Sequence, residues 1–286
     1  MVEAKNNDSN YKVRFKCKQA YQVPDVSKLS IVELLLKSTL ENNIGNDKIA
    51  IDNAWSDLGF KAREMHLRDK NYLSLMEHNQ NECEGKGNYI FSPSAKNKLI
   101  IQAPHSYYDK YTGKIVEQLF FNADFFAAFW NSAHRYSKKI IGFDSADLSK
   151  ARQSYFMSFS KAVAKNFPSS FLIQIHGFTR KKRNSLQGKG ADMILSQGGR
   201  IAADYMFSLK SCLQNNFNDK NIYLYPHDIN ELGATKNSIA LHLNQLRFFQ
   251  FIHIEINRPL RKVLLEDKTQ LNKLSECLME LPNAVH

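Results

Sequence analysis

Three short stretches of this chain set reactive polar side chains in or beside apolar, strand-like runs. His105 and Asp109 follow Leu99-Ile100-Ile101-Gln102-Ala103-Pro104, His176 closes Phe171-Leu172-Ile173-Gln174-Ile175, and Glu255 lies within Phe251-Ile252-His253-Ile254-Glu255-Ile256-Asn257. An imidazole or carboxylate inside a sheet is costly unless it is paired or binds a metal. At the ends of parallel strands such groups converge where open α/β sheets build their sites. Two histidines with two acids are the parts of a hydrolytic zinc centre.

Taken one at a time, the stretches leave alternatives open. His105 and Asp109, four residues apart on a strand-to-helix loop, can fold back onto one ion, with Glu117 one turn into the next helix. The same spacing joins His78 to Glu82 and His227 to Glu231, and both read as surface loops. His176 is either a ligand or a hydrogen-bonded core histidine, and Gly177 after it allows a close approach. Strand alternation puts His253, Glu255 and Asn257 on one face, where Glu255 serves as a salt-bridge partner or as a base tuned by burial.

The elements that must position these groups follow from periodicity and punctuation. Leu29, Ile31, Val32, Leu34, Leu35, Leu36 and Leu40 give Ser27–Asn42 helical spacing, and a second helix is expected over Ala54–Glu77. Two strands, Tyr89–Ser92 and Lys98–Ala103, suit a hairpin. Thr112 is an expected N-cap for a helix running to Trp130, and another helix spans Ser145–Asn166, stopped before Pro168. Strands are expected at Phe171–His176, Ala191–Ser196, Asn221–Tyr225 and Phe249–Asn257, with helices at Ile201–Asn215 and Leu260–Leu281. Strands alternating with long helices predict an α/β fold, a mixed and mostly parallel sheet flanked by helices (phosphorylase/hydrolase-like). Residues 1–85 read as a helical N-terminal extension packed on a catalytic α/β domain over 86–286.

With 286 residues, 43% hydrophobic and 23% charged, the chain has a globular composition. A formal charge of +11 suits anionic partners without choosing among them, and solvated surface lysine is the favoured account of much of it. Cys17, Cys83, Cys212 and Cys277 form no CxxC pair, so a zinc finger is not indicated, and two disulfides or four buried thiols are both open. The most apolar stretch, Leu119–Trp130, is too short to span a membrane and carries Asp124. The polar start is expected to be a cytoplasmic tail, or a periplasmic or secreted mature terminus in which Met1 replaces a removed signal peptide.

"APHSYYDKYTG", "IQIHGF" and "HIEINRPLR" together resemble the zinc carboxypeptidase superfamily, in its N-formylglutamate amidohydrolase-like and poly-γ-glutamate hydrolase-like branch. "NSAHRYSKK" and "DSADLSKARQSYF" also fit that relation, which covers roughly residues 98–265. The resemblance implies a Zn2+ held by His105, Asp109 and His176, with Glu255 as general base. Position 108 is Tyr where the carboxypeptidase His-x-x-Glu pair has its acid, so Glu117 stays open as alternative ligand or as a group orienting a ligand. The implied chemistry is amide or peptide hydrolysis on a carboxylate-bearing peptide or acyl-amino acid. An arginine would hold the oxyanion or substrate carboxylate. Arg135 is favoured over Arg180 and Arg258, with Tyr108 beside the ligand loop as a further substrate contact.

No His-Glu-x-x-His, Gly-x-Ser-x-Gly or P-loop occurs, and no Pro-Cys-x-x-Cys follows His253-Ile254-Glu255 as a deaminase would require. Two other readings stand beside the hydrolase. One is a basic binding protein for nucleic acid or an anionic polymer, using Arg180–Arg183 with Tyr107, Tyr108 and Tyr111. The other is a pseudoenzyme that keeps the fold as an interaction surface.

Overall fold

The computed structural model describes residues 14–41, 48–137 and 146–281. After α1 (Val26–Glu41) and α2 (Lys48–Asp57) the chain forms a hairpin, β1 (Lys61–Leu67) and β2 (Lys70–Met76), in place of the helix expected over 54–77. Gly59 at φ 77° ends the helical run, and Arg68 and Asp69 at φ 50° and 60° make the tight left-handed turn that a two-residue hairpin needs.

β3 (Asn88–Phe91), β4 (Leu99–Ala103), α3 (Thr112–Asn122) and β5 (Ala127–Trp130) come next. β3 and β4 do not pair as a hairpin, because β5 lies between them, antiparallel to β3 and parallel to β4. The Phe-rich segment is therefore half helix and half central strand. Its break is made by Asp124, whose carboxylate accepts the backbone N–H groups of Lys96 and Asn97. Tyr111, left-handed at φ 82°, occupies the N-cap position of α3 instead of Thr112.

The chain continues through α4 (Tyr155–Asn166), β6 (Phe171–Phe178), a 3-10 turn at Arg180–Lys182, α5 (Leu186–Gly190), β7 (Met193–Ser196), α6 (Asp204–Asn216) and β8 (Ile222–Leu224). It ends in α7 (Ser238–Gln245), β9 (Phe251–Asn257), α8 (Arg258–Glu266) and α9 (Lys268–Met279). α4 starts at its Ser154 cap, later than the expected Ser145, which lies outside the described residues. The expected last helix is two, because Asp267 ends α8 and caps Thr269 and Gln270 of α9.

The nine strands form one sheet in the order β1-β2-β3-β5-β4-β6-β9-β7-β8. The central strands β5, β4, β6 and β9 are parallel, with antiparallel pairing toward both edges. Helices cover both faces, which is the α/β architecture the pattern predicts. On one face Ile101, Ile173, Ile175 and Ile254 pack with α3, α6, α8 and α9. On the other, Ile100, Leu172 and Phe251 pack with α1, α2, α4 and α7. The hairpin extends the sheet, so the N-terminal segment contributes strands as well as helices. No described helix is long and apolar enough to cross a membrane. Disulfides join Cys17 to Cys83 and Cys212 to Cys277.

Candidate metal centre

On the α4 side the sheet face turns from apolar to polar along the strands. Ile100, Leu172 and Phe251 give way to Gln102, Gln174 and His253, and then to His176 and Glu255 at the carboxyl ends of β6 and β9. All five polar residues are buried. His105 and Asp109 join them from the turn after β4, where Tyr108 and Asp109 both donate their N–H to the His105 carbonyl. That helical turn puts side chains four apart on one side.

Nδ1 of His105 stands 3.4 Å and Nδ1 of His176 3.7 Å from Oδ2 of Asp109. These are long for hydrogen bonds. They suit donors around one ion, since ligands at about 2.0–2.2 Å in tetrahedral array lie roughly 3.3–3.6 Å apart. Nδ1 of His105 is buried without a hydrogen-bond partner among the described residues, as is Oε2 of Glu255. An orphaned donor within the His-Asp-His cluster is what a resident divalent metal would satisfy, and Glu255 with its own orphaned oxygen lines the same cavity, so the residues fit one. A second donor set, His176, His253 and Glu255, shares one histidine with the first.

Further groups orient these donors. Nε2 of His105 meets Oδ1 of Asp147 at 2.9 Å, and Arg135 closes on Oδ2 of the same carboxylate through Nε at 3.0 Å and Nη2 at 2.7 Å. Ser149 donates to Oδ1. The Gly177 N–H donates to Oδ2 of Asp109 at 3.0 Å. Nε2 of His176 lies 3.2 Å from Oε1 of Gln174, and Nδ1 of His253 lies 3.2 Å from Oγ of Ser196.

The electrostatics follow from burial and pairing. Burial raises the Asp109 carboxyl, yet His105 and His176 outweigh it and hold it far below the usual range. Asp147 is likewise held low against its burial, by His105, Ser149 and Arg135. For His105 the two carboxylates overcome burial and raise its pKa, whereas burial lowers His176 and holds His253 well down. Glu255 is pushed up to about 8, first by burial and then by the Asp109 charge.

A cavity of about 280 Å3 opens on this cluster, lined by His105, Asp109, His176, His253 and Glu255, with Arg135, Lys150 and Lys236 toward its mouth. The structure thus brings His105, Asp109, His176, Glu255 and Arg135 together. Tyr108 stays outside the lining and is partly exposed, its ring against Tyr136 and the Arg135 guanidinium. Glu117 is elsewhere, paired with Arg14 at 2.7 Å, so of the two acids the sequence offers only Asp109 faces Nδ1 of His105. Arg180 does not reach the cavity. Its guanidinium binds Asp192 and the carbonyls of Gly190 and Ala191. Arg258 is an exposed residue in the first turn of α8. Asp147 sits in an irregular segment with no periodic signal in the sequence, whereas Gln174 is marked there as a polar residue within an apolar strand.

No family model and no curated protein matches the chain. Among solved structures, the N-formylglutamate amidohydrolase from Ralstonia eutropha JMP134 is 12% identical with a TM-score of 0.44, covering 66% of this chain and 94% of that one. A zinc-free form of YNDL is 13% identical with a TM-score of 0.44, over 71% of this chain and 92% of its own. A bacteriophage poly-gamma-glutamate hydrolase is 10% identical with a TM-score of 0.39, over 66% and 84%. The first and third carry the names of the branch that the motifs resemble.

Proposed function

We propose that the chain is a zinc-dependent hydrolase of carboxypeptidase type, cleaving an amide bond in a carboxylate-bearing peptide or acyl-amino acid. The observation that carries this reading is the orphaned Nδ1 of His105, facing Asp109 and His176 beside the unpartnered Oε2 of Glu255. His105, Asp109 and His176 would hold the metal. When bound, zinc supplies Lewis acidity toward the scissile carbonyl and lowers the pKa of water.

The remaining work falls to the chain's own side chains. Glu255 accepts the proton of the attacking water and returns it to the leaving amine. Its burial makes it a poor carboxylate in the metal-free protein, and a cation held alongside lowers its pKa toward that of a working base. Arg135, anchored on Asp147 through Nε and Nη2, keeps Nη1 without an acceptor among the described residues. That donor suits a developing oxyanion. Lys150 and Lys236 at the mouth favour an anionic substrate. Two disulfides support a working place in an oxidising compartment.

The test is elemental analysis of chelator-free protein, wild type beside His105→Ala and His176→Ala, followed by hydrolysis assays on peptides and N-acyl amino acids. About one zinc per chain is expected, lost in both variants. No metal after zinc reconstitution, or undiminished affinity in either variant, overturns the reading.

A further inference from the structure

A chain of buried amides runs from the core of α4 to the candidate metal centre. Its direction is set at the far end. The Phe156 carbonyl can only accept, and Ser160 donates to it at 2.8 Å. The Ser160 hydroxyl is thereby left to accept, and Nε2 of Gln102 donates to it at 2.9 Å. Oε1 of Gln102 then accepts from Nε2 of Gln174 at 2.9 Å. That fixes the Gln174 amide so that its oxygen faces the site. Oε1 of Gln174 accepts from Nδ2 of Asn237 at 2.8 Å, and its remaining neighbour is Nε2 of His176 at 3.2 Å. Gln102 and Gln174 are fully buried, so no solvent exchange relaxes this order.

We propose that Gln174 is a positioning residue. Through the Ser160–Gln102–Gln174 chain it selects the His176 tautomer with the proton on Nε2, leaving the Nδ1 lone pair aimed at the metal beside Asp109. An imidazole with its proton on Nδ1 would present an N–H where the cation must sit and would leave Nε2 facing an amide oxygen, two lone pairs opposed. The tautomer is thus dictated by a carbonyl of α4, with two glutamine side chains and a serine hydroxyl intervening. This inference rests on the proposed metal site, but its first readout needs no metal.

The experiment compares wild type, Gln174→Met and Gln174→Glu, each labelled with 15N histidine and stripped of metal. Two-bond proton–nitrogen correlation spectra at pH 8 report which nitrogen of His176 carries the proton, with His176→Ala providing the assignment. The wild type is expected to show Nε2–H. Gln174→Met is expected to mix the tautomers and to weaken Co2+ binding, followed by visible absorption, by about 10–100-fold. Gln174→Glu, carried as the buried protonated acid, keeps an acceptor oxygen toward Nε2 and a hydroxyl donor toward Oε1 of Gln102, so it is expected to retain both the tautomer and most of the affinity. An Nδ1–H tautomer in the wild type overturns the proposal even where Gln174→Met fails to fold. An unchanged tautomer and affinity in Gln174→Met overturns it as well. A wild type that shows Nε2–H yet binds no Co2+ supports the tautomer assignment and sinks only the metal reading.

Discussion

His176 and Glu255 are register partners on the adjacent parallel strands β6 and β9. The backbone ladder of two central strands therefore sets the spacing of the imidazole proposed as a metal ligand and a buried carboxylate, and no loop intervenes. Such positions hold a geometry more tightly than loop positions do. Asp109 and Asp147 complete the cluster from irregular segments, each tied down by several hydrogen bonds.

That division of labour makes Glu255 separable from metal binding. Glu255→Gln keeps the shape and leaves His105, Asp109 and His176 intact. We expect it to bind zinc as the wild type does and to lose hydrolysis by about 10²–10⁴-fold, the range of a general base. Metal content and kcat on the same preparation check this. A variant that stays fully active would remove Glu255 as the base.

The same carboxyl gives the metal-free protein a stability signature. Burial raises its folded pKa from 4.5 to about 8, so between those values the folded state holds a proton that the unfolded state has released. The contribution is complete below pH 4.5 and is lost as pH rises through about 8. At ~1.4 kcal/mol per pH unit the loss across this window is bounded at about 5 kcal/mol. Urea unfolding of chelated protein at a series of pH values should show stability falling across this window, and Glu255→Gln should flatten it. Parallel curves for the two proteins would mean that Glu255 ionises freely in the folded state.

Gly177 is expected to tolerate no side chain. A Cβ built there would collide with Nη1 and Cζ of the buried Arg261. That guanidinium also holds the Lys110 carbonyl at 2.6 Å, next to Asp109, while the Gly177 N–H binds Asp109 directly. Gly177→Ala must push Arg261 away and loosen the ligand turn. We expect about 1–3 kcal/mol of destabilisation from overpacking and a measurable loss of metal affinity. Unfolding curves and metal titration of the variant decide it, and wild-type values in both would show that the guanidinium moves aside without consequence.

The sequence made some of this legible and hid the rest for identifiable reasons. His176 and Glu255 stand out because each interrupts an apolar strand of its own, and strand alternation survives folding. The run Leu119–Trp130 misleads because it is apolar throughout. Helix and buried strand then look alike, and the Asp124 contacts that part them come from a segment far back in the chain. Ala54–Glu77 misleads because the decisive left-handed residues, Arg68 and Asp69, are not the Asn-Gly or Gly that usually announces a tight hairpin. Arg180 resembles a substrate arginine by type, yet Asp192 and two carbonyls already use its donors. Asp147 shows its importance only in space, where it links His105 to Arg135.

The disulfides should separate stability from chemistry. Cys17–Cys83 and Cys212–Cys277 close loops with separations of 66 and 65 residues, long enough for a large effect on the unfolded chain. Each is expected to contribute about 2–4 kcal/mol. Cys212–Cys277 ties α6 to α9 across the sheet from the cavity, so the Cys212→Ser/Cys277→Ser variant should unfold earlier while keeping wild-type metal affinity. Cys17–Cys83 is different. The Cys17 N–H donates to the Ser132 carbonyl at 2.7 Å, just past the end of β5, and the neighbouring Asn131 carbonyl accepts from Ser106 in the ligand turn. Cys17→Ser/Cys83→Ser should therefore lose stability and also bind metal more weakly. Denaturant titration with and without metal distinguishes the two bridges. Equal metal affinity in both double variants would mean that the N-terminal segment supports the fold without supporting the site.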